Sequence, residues 1–169
     1  ARGAGKTSAG RWAAACLTER GHRVGVVIRG YRRARGGRET RYSPATAAEL
    51  GDEGALYARD GHLVAAGPHR AAAARGLVAR GVTAIVVDDG LQQRSLDADL
   101  RIAVVDVRFP GARGPMPAGE RRGRSVVPPD VDGVVALNGT WPGAWSAERV
   151  AGPWHKGAVP SPTPCGPVA

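Results

Sequence analysis

The chain has 169 residues, with 43% hydrophobic and only 5% aromatic residues, 25 glycines, 13 prolines and a formal net charge of +9. That length fits one domain with a substantial core, and no apolar run approaches the roughly 20 residues needed to span a bilayer. Aromatics this sparse, with no nucleic-acid-binding motif, exclude a base-stacking platform; the charge is left to a solvated arginine-rich surface and to anionic partners such as nucleotide phosphates or an acidic lipid surface.

In chain order, Ala1 stands directly before a glycine-rich motif, with no initiator Met and no room for a preceding strand. An N-terminal truncation is therefore expected. Thr7 to Arg20 reads as a helix, with Ala9, Ala13, Cys16, Leu17 and Arg20 at three- and four-residue steps, and Gly21 is a suitable stop. Val24 to Ile28 is a continuous apolar run, as expected for a strand buried on both faces. Arg29 to Thr40 is rich in Gly and Arg and reads as an irregular loop. Thr46 to Ala58 holds one helix, or two short ones broken near Gly51 and Gly54.

His62 to Ala66 reads as a strand, and Pro68 suits the first turn of an Ala-rich helix running to Arg80. Thr83 to Val87 is a second buried strand, ending at Asp88 and Asp89. Ile102 to Val105 is a third, ending at Asp106, and Gly133 to Leu137 a fourth. Strands alternating with helices predict an α/β fold with a mostly parallel sheet between helices, an αβα sandwich of the P-loop type lacking its first strand. From Thr140 to Ala169 the periodicity fails among prolines, glycines and Trp141, Trp145 and Trp154. The expected division is thus a domain over 1–139 and an irregular tail over 140–169. Cys16 and Cys165 have neither metal-ligand spacing nor a secreted framework, which suggests a reduced cytosolic protein.

Three motifs bear chemistry. Gly3-Ala4-Gly5-Lys6-Thr7-Ser8 opens a helix, as a phosphate loop does. Glycines let the backbone N–H groups close on phosphate, the lysine reaches the β/γ-phosphates, and the hydroxyl on the first turn binds Mg2+. The first glycine of the general eight-residue pattern would precede Ala1. Ile85-Val86-Val87-Asp88-Asp89-Gly90 is an apolar strand ending in acid, the Walker B arrangement that holds Mg2+. Successive side chains alternate in direction, so one aspartate faces the metal and the other fixes the loop. Gly51-Asp52-Glu53 offers a carboxylate to take or orient the proton of an attacking hydroxyl. Equally, Asp52 and Glu53 are residues that complement a helix N-terminus.

These motifs, with Ile28-Arg29-Gly30-Tyr31-Arg32, His69-Arg70, Asp88-Asp89-Gly90-Leu91-Gln92-Gln93 and Pro117-Ala118-Gly119-Glu120-Arg121-Arg122-Gly123, stand in one order. Over roughly Ala1 to Asn138 that order resembles the tetraacyldisaccharide 4'-kinases, the P-loop enzymes that phosphorylate the lipid A precursor. The resemblance implies ATP and Mg2+ as cofactors and an acylated disaccharide lipid as substrate. It also implies peripheral attachment to the cytoplasmic face of the bacterial inner membrane, with no nucleic-acid partner. By matching position, Gly3 to Ser8 would cradle the nucleotide, with Lys6 and Thr7 on its phosphates and Mg2+. Asp52, with Glu53 beside it, would be the base or orienter for the sugar 4'-hydroxyl. Asp88 and Asp89 would serve the metal, supported by Gln92. Arg122 would contact anionic substrate or phosphate, and Arg29 and Tyr31 would shape the acceptor loop.

Departures accompany the match. Arg2 replaces a glycine, Gly54 a proline, Gln93 a histidine and Gly123 a glutamate. With the truncation, these leave a second reading open, a non-catalytic remnant or nucleotide-binding module. The His22, His62 and His69 side chains read as surface residues, and His155 has no catalytic context.

Overall fold

Five consecutive apolar residues with no polar alternation have no face to offer water. Val24–Ile28 accordingly forms β1 and is buried along its whole length. The computed structural model describes residues 5–30, 39–91, 93, 95–108 and 127–147. Before β1 runs α1 (Lys6–Glu19). After it come β2 (Arg41–Tyr42), α2 (Ala47–Leu50), α3 (Asp52–Arg59), β3 (Leu63–Ala66), α4 (Arg70–Val78), β4 (Ala84–Val87), β5 (Ile102–Asp106), β6 (Gly133–Leu137) and β7 (Trp145–Ala147). The α/β class expected from the alternation is the one observed.

Among the described residues the strands form two sheets rather than one. The first has the order β2-β3-β1-β4, the second β5-β6-β7. They belong to two compact units, the first sheet to one that spans Thr7–Leu96 and the second to one that spans Asp97–Trp154.

In the first unit β1 pairs in parallel with β3 and β4, and β2 pairs antiparallel with β3. Alternation along β1 splits its side chains between two cores. Val24, Val26 and Ile28 pack with Ala14 of α1, Leu50 of α2 and Tyr57 of α3. On the other face, Val27 and Ala65 pack with Ala73 and Leu77 of α4 and with Val82. Helices thus cover both faces of this sheet, giving three layers. Full burial of Val26, Val27 and Leu50 stabilises it by about 1.5–3 kcal/mol per side chain. Cys16 is likewise buried, on α1.

Several local expectations change. The edge strand β4 is half-buried, not buried, because it has a partner on one side. The break between α2 and α3 falls at Gly51 alone, whose φ of 82° is open to glycine at little cost. Gly54 instead lies inside α3, where its missing side chain lets the helix close on Ile28 and Leu50. Pro68 stands before α4 rather than in its first turn, since His69 occupies the N-cap. His62 is only partly exposed.

In the second unit β5, β6 and β7 are all parallel. The strand β7 lies within the stretch read as irregular. All three of its residues are exposed, so it carries no buried alternation that a sequence could reveal. The loop read over 29–40 falls mostly outside the described residues.

Candidate active site

In a parallel sheet the carboxyl ends of the strands share one edge, and side chains just beyond them converge there. Arg29 follows β1, Gly67 to Arg70 follow β3, and Asp88 follows β4. Backbone bonds hold this rim together: Gly67 N–H donates to the Ile28 carbonyl at 3.1 Å and Asp88 N–H to the Val27 carbonyl at 3.0 Å.

The helix α1 begins at Lys6, directly after Gly5 with φ 73°. Glycine adopts that left-handed conformation without strain. No acidic residue lies in the first turn. The positive end of the helix dipole is thus left without an opposing carboxylate on its own turn, as an anion-binding terminus requires.

One buried hydroxyl links this first turn to the acid at the end of β4. Tyr57 of α3 is fully buried. Its hydroxyl lies 3.2 Å from Asp88 Oδ2 and 3.4 Å from the Thr7 carbonyl oxygen. A phenol has one proton to donate. The nearer, charged acceptor is the stronger one, so the bond goes mainly to Asp88. Burial, and then the negative charge of Asp88, push the Tyr57 pKa well above its usual value. The hydroxyl stays protonated throughout the working pH range.

The neighbouring acid behaves differently. Asp89 has φ 56°, a left-handed conformation uncommon for a residue with a side chain. Arg70, 6% exposed, donates from Nη1 to the Asp89 carbonyl oxygen at 2.7 Å and pins that turn. A second clamp joins α1 to the end of α3, where Arg11 holds both carboxylate oxygens of Asp60, Nη2 to Oδ1 at 2.8 Å.

The Gly51-Asp52-Glu53 motif forms the entry to α3. Asp52 is exposed and Glu53 half-buried, both in the first turn. Glu53 and Tyr57 are four residues apart and therefore share a helix face. Arg29 is exposed at the end of β1. Gly3, Ala4, Tyr31, Gln92 and Arg122, also expected at the site, lie outside the described residues. Of the expected residues, then, the structure joins Thr7 to Asp88 through Tyr57, and sets Asp52 and Glu53 on the helix that carries Tyr57.

Sequence reasoning missed Tyr57 and the buried role of Arg70. Tyr57 follows Leu50 and Gly54 at helical spacing, which marks it as core. A tyrosine in a core position must place its hydroxyl on a partner, and that requirement was the available signal.

Among the described residues no cluster of three or more His, Cys, Asp or Glu could hold a metal by itself. Near the Tyr57 hydroxyl stand the Asp88 carboxylate and the backbone carbonyl of Thr7. Hard oxygen donors in such small number suit Mg2+, which is held through one or two carboxylates plus substrate phosphates.

In the second unit, Asp106 at the end of β5 is buried and takes two side-chain bonds from Arg108, Nε at 3.1 Å and Nη2 at 2.9 Å. The guanidinium holds that carboxyl below the ordinary range. Arg108, Asn138, Thr140 and Ser146 line a cleft there. No helix among the described residues is long and apolar enough to cross a membrane.

Comparison with known proteins bears on this geometry. The family model described as tetraacyldisaccharide-1-P 4'-kinase matches residues 1–156. Among solved structures, LpxK from Aquifex aeolicus, in an "apo" form in complex with ATP, is similar at a TM-score of 0.70 and 26% identity. The match covers 86% of this chain and 50% of that one, so the chain spans about half the length of the solved relative.

Proposed function

The chain belongs to the tetraacyldisaccharide-1-P 4'-kinase family, and on that premise we propose that it binds ATP with Mg2+ and serves transfer of the γ-phosphoryl group to the 4'-hydroxyl of a tetraacyldisaccharide 1-phosphate. The observation that carries the reading is the Tyr57 bridge, which sets the first turn of α1 beside the acid at the end of β4. Phosphoryl transfer asks little covalent chemistry of a protein and depends on position and charge.

Each residue then has a distinct task. Gly3 to Ser8 close backbone N–H groups on the nucleotide phosphates, and Lys6 neutralises their outer oxygens. The Thr7 hydroxyl and the carboxylates of Asp88 and Asp89 would hold Mg2+, which, when bound, offsets phosphate charge. Asp52 orients the 4'-hydroxyl and accepts its proton as the oxygen–phosphorus bond forms and ADP departs, with Glu53 beside it. Arg29, Tyr31, Gln92 and Arg122 contact or shape the acceptor side. Attachment is peripheral, at the cytoplasmic face of the inner membrane, through the acylated substrate and the surface that carries the +9 charge.

Calorimetric titration tests the nucleotide half of this reading. The chain is expected to bind Mg·ATP and Lys6→Ala to lose that binding; a folded chain with no nucleotide affinity overturns the reading. Transfer from labelled ATP to the acylated acceptor, lost in Asp52→Ala, tests the other half. Binding without any transfer would favour a nucleotide-binding module instead.

A further inference from the structure

We propose that Tyr57 is the positioning residue of this site, fixing Asp88 in the orientation that receives the cation and tying that acid to the helix that begins with Asp52 and Glu53. The inference deepens the kinase reading and rests on it.

Three observations meet at one oxygen. The Tyr57 hydroxyl is within hydrogen-bond reach of Asp88 Oδ2, at 3.2 Å, and of the Thr7 carbonyl, at 3.4 Å. The ring is fully buried, packed among Ala14, Val26, Ile28 and Leu50, so the hydroxyl has no freedom to follow the carboxylate; the carboxylate must conform to it. Space for that oxygen is provided by Gly10 of α1, where a Cβ would collide with it. A phenylalanine in the same place would not need a glycine opposite its ring tip. The pair reads as a socket: an absent side chain on one helix matched to a polar tip on another.

The consequence for a cation is geometric. A carboxylate free to rotate offers either oxygen, or both, and pays entropy when it is fixed. With Oδ2 engaged by a donor, Asp88 presents Oδ1 in a set direction, and the fixing has been done before ligand arrives. Partners of this kind behind metal-binding groups alter affinity by roughly 10- to 100-fold. The same hydroxyl reaches the backbone of Thr7, whose own hydroxyl would share the cation. Arg11 and Asp60 clamp the two helices at a second point, which prevents α3 from pivoting about Tyr57. Asp52 and Glu53, at the start of α3, are thereby placed by the same contact that places Asp88.

The test uses the full 169-residue chain and two calorimetric titrations per variant, ATP with excess MgCl2 and ATP with EDTA. Tyr57→Phe removes the oxygen and keeps the ring. It is expected to weaken Mg·ATP binding about tenfold, while ATP binding in EDTA stays within twofold of the unaltered chain. A folded Tyr57→Phe chain with Mg·ATP affinity within twofold overturns the proposal and leaves the kinase reading standing. An equal loss in both titrations also overturns it, since that pattern marks general loosening. Should Tyr57→Phe not fold, Gly10→Ala serves, because it displaces the hydroxyl while retaining the tyrosine; the same selective loss supports the proposal and unchanged Mg2+ dependence overturns it. If the unaltered chain binds no nucleotide, or binds it without regard to Mg2+, the kinase reading itself fails and this inference falls with it.

Discussion

At the scale of single residues, the site depends on polar groups buried for a purpose. Arg70 is the clearest case outside the bridge, since a guanidinium 6% exposed must satisfy its donors inside the protein. One of them holds the Asp89 carbonyl, in a turn whose φ of 56° is already unfavourable. Arg70→Ala is expected to cost about 2 kcal/mol, the range for losing a hydrogen bond from a charged donor. Chemical denaturation checks the stability loss, and a nucleotide titration should show weaker binding through the relaxed β4 turn. A variant with unchanged stability would show that the turn holds itself. Asp88 and Asp89 were legible in the sequence because an apolar run ended in acid. Tyr57 and Arg70 were not, because their roles arise only when α3 and α4 pack against β1 and bring distant parts of the chain into hydrogen-bond contact.

Among the elements, α3 shows how packing overrides local propensity. A glycine inside a helix is unfavourable by about 1 kcal/mol relative to alanine, so Gly54 read as a break. In the structure a Cβ there would lie 2.6 Å from Ile28 Cδ1 and 2.8 Å from Leu50 Cβ. Ile28 could shift its terminal carbon; Leu50 Cβ, fixed to the backbone of α2, could not. Overpacking of this kind costs about 1–3 kcal/mol. Gly54→Ala is therefore expected to lower stability in denaturant titrations despite its better helix propensity, and a stabilised variant would refute the close packing of α3 on β1. The strands repeat the lesson. The sequence revealed β1, β3, β4, β5 and β6 through short runs dominated by Val, Ile, Leu and Ala. It concealed β2, whose two residues are too few for a period, and β7, whose residues are all exposed. Nor could it reveal that the strands divide into two sheets, because apolar runs specify burial and not which neighbour provides it.

Across the whole molecule, charge and burial make separate contributions to stability that pH and salt can separate. The net charge of +9 makes the folded chain repel itself, and acidification, which protonates carboxylates, increases that repulsion. Salt screens it. A second, local contribution comes from His62, half-buried at the end of α3. Its pKa is pushed down by burial, with the Asp60 charge opposing and Arg11 adding to the shift. The folded state therefore favours neutral His62, while the unfolded chain takes a proton near the ordinary histidine value of about 6.5. Between those two values the unfolded state binds more protons, so stability rises with pH through that window and levels off above it. Acidification through the same window removes it. Because desolvation is not screened by ions as surface repulsion is, the His62 part of the slope should survive in high salt. Denaturation free energies measured from pH 5 to pH 8 in high salt are expected to fall toward the acid side in the unaltered chain and to flatten in His62→Gln. Parallel curves for the two chains would mean that the slope arises from global charge, and that burial of the imidazole contributes nothing to it.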